Sequence, residues 1–344
     1  MTRIYMAAGD AFAVIEGREG RWRASVTLQG LHTTCVEVDP LKPERVYCGT
    51  FGRGLWVSDD QGAGWRQAGE GIAHAEVTAV AASATERYAG YGVVWVGTEP
   101  SAIFRSEDGG NSWVERRSLQ DLPSRPTWSF PPRPWTHHVR WIAPDPLVPE
   151  RLFVGIELGG VMRSLDGGLT WEDRKPEAQP DAHHLRTHPL APGRVYETAG
   201  GGYAESLDGG ATWRRDDAGM RHHYLWGLAV DPADAHTLLV SASRGPMSAH
   251  RREAAEARMY RKVAGQPWTE VRDGLPQAEG TRVYGLASNP DEPGVFYAAT
   301  HEGGVYRSAD SGLTWHALDV DWPQGTHIDS QMPVALAVIG AGQG

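Results

Sequence analysis

The chain has 344 residues, 40% of them hydrophobic, and a formal net charge of -10 at pH 7. This length is ample for a buried core, and the acidic charge argues against nucleic acid or an anionic membrane as a partner. No stretch is long and apolar enough to span a membrane, and the N-terminus reads as a strand and not as a secretory signal. We therefore expect a soluble cytoplasmic protein.

Short apolar strands recur from one end of the chain to the other. Residues 3–15 start at the second strand of a repeat unit, whereas residues 334–339 read as a first strand without the rest of its unit. The strands are apolar runs and not strict alternations, which is typical of sheets covered on both faces. The C-terminal strand is therefore predicted to complete the N-terminal sheet and to remove its open edge.

A Ser-x-Asp-x-Gly-x-x-Trp motif recurs between these strands. Its aspartate can accept hydrogen bonds from backbone N–H groups in the turn, its glycine supplies positive φ, and its tryptophan buries a large indole at the start of the next strand. Clear copies occupy residues 58–65, 106–113, 164–171, 206–213 and 308–315, and weaker copies occupy 16–22 and 260–268. Seven units of four short strands predict seven propeller blades.

The motif resembles the Asp-box, or BNR, repeat of sialidase-like β-propellers. With the count of seven, the resemblance implies an all-β fold, a single seven-bladed β-propeller domain over residues 1–344. Its ring would be closed by the C-terminal strand in the N-terminal blade. The resemblance implies no particular function, because Asp boxes occur in hydrolases, receptors and assembly factors alike.

Histidines gather where first strands begin. Of the fourteen histidines in the chain, nine lie just before or at the start of a first strand, on the propeller face opposite the motif turns: His32, His74, His137, His138, His183, His184, His222, His223 and His327. Imidazole suits zinc, iron, manganese or copper. We predict a transition-metal site drawn from His32, His74, His138, His184, His223 and His327, and no organic cofactor. For each histidine alone, a polar cap at the strand start is the alternative.

Other polar residues are expected on the same face. Glu99, Glu157 and His301 stand seven residues before a motif serine and are the predicted catalytic residues, with the glutamates as general acid or base. The predicted substrate-binding residues are Arg53, Arg140, Arg186, Arg282 and Trp135. Trp135 belongs to a proline-rich aromatic loop over residues 122–138, which could form a wall over the pocket. An insertion over residues 244–261 is either a lid or an oligomer contact.

Three functions remain open at this stage. The first is a metal-dependent hydrolase, lyase or oxygenase acting on a small polar or anionic substrate at the histidine-lined pocket. The second is a glycoside hydrolase of non-sialidase type using paired carboxylates such as Glu99 and Glu157. Sialidases use six blades and an arginine triad, which the chain does not match. The third is a non-catalytic propeller that binds a protein or a glycan.

Overall fold

The fold is all-β, and its seven sheets form a seven-bladed β-propeller, as the sequence predicts. The computed structural model describes residues 1–18, 20–331 and 333–340. Residue 19, inside the weak motif copy at 16–22, and residues 341–344 of the predicted domain lie outside the described residues. Within the described part, no helix has the length and apolar character that crossing a bilayer requires.

Blade 1 combines the two ends of the chain. It contains β1 (Thr2–Ala7), β2 (Phe12–Arg18) and β3 (Arg21–Thr27). The C-terminal strand, numbered β28 (Ala335–Ile339), pairs antiparallel with β1, so that Tyr5 faces Ala337. The predicted completion of the N-terminal blade is therefore confirmed. The short β27 (Val320–Asp321) adds to the other edge, parallel to β3.

Blades 2 to 5 follow in chain order. Blade 2 is β4 (Thr33–Val38), β5 (Val46–Thr50), β6 (Leu55–Ser58) and β7 (Arg66–Gln67). Blade 3 is β8 (Glu76–Tyr88), β9 (Tyr91–Glu99), β10 (Ile103–Ser106) and β11 (Val114–Glu115). Blade 4 is β12 (Val139–Pro144), β13 (Leu152–Ile156) and β14 (Gly160–Ser164). Blade 5 is β15 (Ala182–Thr187), β16 (Val195–Ala199), β17 (Gly202–Ser206) and β18 (Arg214–Arg215).

Blades 6 and 7 complete the set. Blade 6 is β19 (Tyr224–Asp231), β20 (Asp234–Ser243), β21 (Arg258–Lys262) and β22 (Thr269–Val271). Blade 7 is β23 (Gly285–Ser288), β24 (Phe296–Ala299), β25 (Val305–Ser308) and β26 (His316–Ala317). The helical segments of the described chain are α1 (Pro246–His250) and the 3-10 helices Arg117–Asp121, Arg125–Thr127 and Arg252–Ala254.

The chain divides into two compact units. Unit 1 comprises residues 1–30, 200–203 and 216–344, and unit 2 comprises residues 31–199 and 204–215. The prediction of a single domain over 1–344 stays a prediction.

The motif turns share one network of hydrogen bonds, which blade 5 illustrates. The Ser206 hydroxyl donates to Asp208 Oδ1 at 2.8 Å, and the backbone N–H of Gly210 donates to Ser206 Oγ. Asp208 also accepts the backbone N–H and the hydroxyl of Thr212. Trp213 is only 7% exposed, and its indole N–H donates to the Gly210 carbonyl. Each turn thus fixes its own geometry and the indole that packs behind it.

A close approach between neighbouring blades holds unit 2 together. Gly49, Gly97 and Gly155, all in second strands, carry no Cβ where the first strand of the next blade passes. A Cβ at Gly97 would clash with Val139. Threonine hydroxyls reinforce two of these contacts, since Thr34 donates to the Val77 carbonyl and Thr78 to that of Val139. These second-strand glycines therefore serve blade packing.

Removal of one motif aspartate tests this description. We expect Asp208→Ala to lower the free energy of unfolding by about 1 kcal/mol, because its hydrogen bonds lie in an exposed turn where water competes. Urea unfolding at pH 7 measures the change. The neighbouring Leu207→Ala is the matched control, since that side chain is 54% exposed. Equal stabilities for the two variants would contradict the role assigned to the aspartate.

Candidate functional site

A β-bulge near the start of each first strand in unit 2 decides which side chains face the candidate site. The register between first and second strands shifts by one residue, so Arg140 in β12 and His183 in β15 are the extra residues of the two bulges. The same shift occurs at Thr34 in β4 and Thr78 in β8. A bulge re-aims the side chain of the extra residue and reverses the expected alternation after it.

Two predicted carboxylates meet around one predicted histidine. Glu99 is the last residue of β9, and Glu157 directly follows β13, the equivalent strand of the next blade. His138 lies between the two glutamates, just before β12. Its Nε2 is 3.0 Å from Glu157 Oε2, and its Nδ1 is 3.4 Å from Glu99 Oε2. All three side chains are largely buried. The structure therefore brings Glu99, His138 and Glu157 together in one cluster of unit 2.

Glu157 also belongs to a group of potential metal ligands with Asp181 and His183. One ligand atom from each of the three residues lies within 4.8 Å of the others. His183 Nε2 is 3.4 Å from Asp181 Oδ2, and the His183 side chain is fully buried. Asp181 Oδ1 is held by the backbone N–H of Leu158 at 3.0 Å. The group combines two carboxylates and one imidazole at the start of β15.

Positive charge around Glu157 keeps this carboxylate ionised. Burial raises the pKa of Glu157, but the hydrogen bond with His138 opposes it, together with the charges of His138, His183 and Arg140. The balance lowers the pKa from 4.5 to about 2. An ionised, buried carboxylate is a ready ligand for a cation.

The loop over residues 122–138 packs onto the cluster. Arg133 binds Glu99 through two parallel hydrogen bonds, from Nε at 2.7 Å and Nη2 at 2.6 Å. The ring of Phe130 lies edge-on to that of His138, with centroids 4.7 Å apart. Trp128 is buried, whereas Trp135 is 80% exposed. The loop covers the cluster through Phe130 and Arg133, and Trp135 projects into solvent.

His184 and Arg186 have a different environment from His183. The ring of His184 stacks on that of Trp141, with 3.5 Å between the ring centroids. The guanidinium of Arg186 also lies over the Trp141 ring, 5.2 Å from its centroid. Burial, together with Arg186 and Arg140, lowers the pKa of His184 well below its usual value, so the imidazole is neutral at pH 7. Burial raises the pKa of Glu37, in β4, to about 7 despite the opposing charge of Arg186.

Two other predicted residues, Arg282 and His301, come together in unit 1. Arg282 is 2% exposed and His301 is 1% exposed, and both donate to the Ser330 carbonyl, from Nη1 and Nδ1 respectively. Burial lowers the pKa of His301 to about 4. His327 is exposed and lines a pocket nearby.

The remaining predicted residues differ in their exposure. Arg53, His32 and His223 are exposed. His74 is half-buried, with its ring edge-on to Phe104 at 6.4 Å. These assignments stay predictions. The described ligand group contains Glu157, a predicted catalytic residue, and His183, one of the nine clustered histidines but not one of the six predicted metal ligands. Its third member, Asp181, was not predicted from the sequence. Without a bulge, the regular alternation of side chains along β15 would direct His184 towards the site. The one-residue bulge directs His183 there instead.

Comparisons with known proteins support the fold. No protein-family model and no curated protein matches the chain. Among solved structures, the chain is similar to an ancestral GH74 enzyme, with a TM-score of 0.63 and 16% identity over 89% of this chain and 38% of that one. It is also similar to the RRP9 WD40 repeats, with a TM-score of 0.59 and 12% identity over 95% and 88% of the two chains.

A third similar structure is YCF48 bound to a D1 peptide, with a TM-score of 0.55 and 18% identity over 83% of this chain and 81% of that one. The chain spans about two fifths of the length of the GH74 enzyme that it matches. At these identities the likeness shows the propeller fold alone.

A buried carboxyl group beside this region predicts a pH-dependent stability. Glu197, in β16, is fully buried, and its Oε2 accepts the backbone N–H of Gln179 at 3.1 Å. Burial raises the pKa of Glu197 from 4.5 to about 8. The folded state then keeps a proton that the unfolded chain releases between pH 4.5 and 8, so this carboxyl group lowers stability as the pH rises through that window.

We therefore expect Glu197→Gln to raise the melting temperature relative to wild type by a few degrees at pH 8 and by little at pH 5. Thermal unfolding followed by circular dichroism at pH 5, 6.5 and 8 measures the difference. The exposed Glu70→Gln is the matched control and should show no such trend. A constant difference between Glu197→Gln and wild type across the three pH values would contradict the buried, protonated carboxyl.

Proposed function

We propose that the protein is a metal-dependent enzyme acting on a small polar or anionic substrate, with the metal ion bound by Glu157, Asp181 and His183. One observation carries the proposal: donor atoms of two carboxylates and a fully buried imidazole lie within 4.8 Å of one another. At metal–ligand distances of about 2.0–2.2 Å, ligand atoms of one ion are at most about 4.4 Å apart. The three ligand atoms would have to move closer together to bind one ion.

The donor set indicates which ions fit. Two carboxylates and one imidazole suit Mn²⁺, Fe²⁺ or Zn²⁺ better than they suit copper, which prefers sites rich in sulfur or imidazole. Three protein ligands would leave coordination positions open, as catalytic sites require. A bound ion of this kind supplies an activated water molecule or polarises a substrate oxygen.

The side chains around the group can move a proton and bind an anion. The imidazole of His138 faces Glu157 through Nε2 and Glu99 through Nδ1, so it can accept a proton at one nitrogen and release one at the other. Arg133 fixes Glu99 from the covering loop through its two hydrogen bonds. Arg140, whose charge acts on Glu157, is placed to attract an anionic substrate.

The glycosidase alternative has less support. The imidazole of His138 fills the space between Glu99 and Glu157, where a glycosidic oxygen would have to lie between the two carboxylates. A non-catalytic propeller that binds a protein or glycan requires no metal, and a metal-free protein would favour it. The GH74 and YCF48 likenesses are compatible with either alternative but bear on the fold only.

We also propose that the motif turns are Asp boxes of the BNR repeat type. The support is their shared network, in which the motif serine donates to the motif aspartate in all five clear copies. On this proposal the boxes are structural.

We further propose that the substrate is a small molecule and that the protein is cytoplasmic. Neither nucleic acid nor a membrane is a partner on this proposal.

Metal content tests the central proposal. Untagged protein purified without chelators should contain about one transition-metal ion per chain by elemental analysis. His183→Gln should weaken Co²⁺ affinity at least tenfold because a ligand is lost. His316→Gln, which changes an exposed histidine of β26, should bind as wild type does. Metal-free wild type that takes up no Co²⁺ would refute the proposal, and loss in His184→Gln alone would favour the histidine ligands predicted from the sequence.

The covering loop provides a second test. Arg133→Met should weaken Co²⁺ affinity by roughly 3–10-fold, because Glu99 then no longer orients His138 against Glu157. Visible absorption of bound Co²⁺ reports both the affinity and the ligand geometry. The matched control is Arg125→Met, which removes an exposed arginine of the same loop. An unchanged Co²⁺ spectrum and affinity in Arg133→Met would show that the loop does not support the site.

A further inference from the structure

Unit 1 contains a second candidate site, independent of the proposed metal site. A pocket of about 250 Å³ has Arg252, Glu302, Gly303, Trp322, Ile328 and Asp329 among its lining residues. We propose that it binds a small organic cation, an alkylguanidinium or alkylammonium group, through the carboxylates of Glu302 and Asp329. In doing so the ligand displaces Arg252.

The carboxylates are held in place from behind. Arg282, 2% exposed, donates from Nε and Nη2 to Glu302 Oε1 and from Nη2 to Asp329 Oδ1. Its third anchor is the Ser330 carbonyl. In the described chain, the second oxygen of each carboxylate accepts no hydrogen bond. A carboxylate has about four acceptor positions, so both groups retain acceptors for a ligand.

Arg252 is the exchangeable member of this network. It comes from the insertion over residues 244–261, and its Nη2 donates to Asp329 Oδ1 at 2.5 Å and lies 4.0 Å from Glu302. Its side chain is 57% exposed, against 2% for Arg282. An ion pair this exposed contributes little to stability, so its displacement costs little. Without Arg252, two carboxylates would face one arginine, and the pocket would attract a cation.

The pocket also has an apolar wall suited to the carbon chain of such a ligand. Trp322 is partly buried and packs on the core of blade 1 and its neighbours, and Ile328 is 8% exposed. Gly303 lets Ile328 approach, because a Cβ there would meet the Ile328 side chain at 2.9–3.3 Å. An indole face attracts organic cations, with Trp the strongest of the aromatic side chains. The volume suits a ligand of a few carbon atoms, below the usual size of drug-sized sites.

Isothermal titration calorimetry with a matched pair of ligands tests the proposal. Butylguanidinium should bind the wild-type protein, whereas butylurea, which has the same shape without the charge, should not. Asp329→Asn should weaken butylguanidinium binding at least tenfold. Arg252→Gln should strengthen it about threefold or more, because the internal competitor is gone. The opposite signs of these two effects are the specific expectation.

Several outcomes would overturn the proposal. They are the absence of butylguanidinium binding to both wild type and Arg252→Gln, equal binding of butylurea, or weaker binding in Arg252→Gln. Binding of butyrate that disappears in Arg252→Gln would instead identify an anion site. A capped Gly-Arg-Gly peptide distinguishes the source of the cation: tighter binding of the peptide than of butylguanidinium would identify a protein side chain as the ligand, and equal binding a free small molecule. Each experiment uses the full chain and is independent of metal content.

Discussion

The close passage of β8, β12 and β15 over a glycine of the preceding blade is the constraint on which unit 2 depends. Gly49, Gly97 and Gly155 leave room for these three first strands, and each of them is bulged at the crossing. A bulge adds one residue and turns it out of the ladder. In blade 3 that residue is Thr78, which donates to the next blade, and in blade 5 the equivalent residue is His183. Blade packing and the candidate site are thus products of the same local geometry.

The chemistry of the site follows from the charges placed at that crossing. The carboxylates of Glu99 and Glu157, from neighbouring blades, both face His138. Asp181 adds a third carboxylate at the start of β15. Buried carboxylates repel one another unless cations or protons intervene. Arg133 and Arg140 supply part of the compensation, and a divalent ion would supply the rest. In the contrasting case of Glu197, burial outweighs the hydrogen bond from Gln179 and the charge of Arg215, and it raises the pKa to about 8.

The sequence was sufficient to predict the fold because each blade repeats its own turn chemistry. The Ser-x-Asp-x-Gly-x-x-Trp motif counts the blades, and the missing strand at each end predicts that β28 completes blade 1. The spacing from the motif serine also leads to Glu99 and Glu157. The choice between His183 and His184 could not be made in the same way, because a one-residue bulge reverses inward and outward positions and leaves no mark in a single sequence. Arg133 was also missed, since its loop lacks a repeat to anchor its position.

The central claim is that Glu157, Asp181 and His183 bind one metal ion. Anomalous diffraction from crystals of the untagged protein soaked in manganese chloride would test it most directly. The account predicts one strong anomalous peak within about 2.0–2.3 Å of a carboxylate oxygen of Glu157, one of Asp181 and a ring nitrogen of His183. A peak at His184, or no peak near these three side chains under conditions where manganese is in excess, would contradict it.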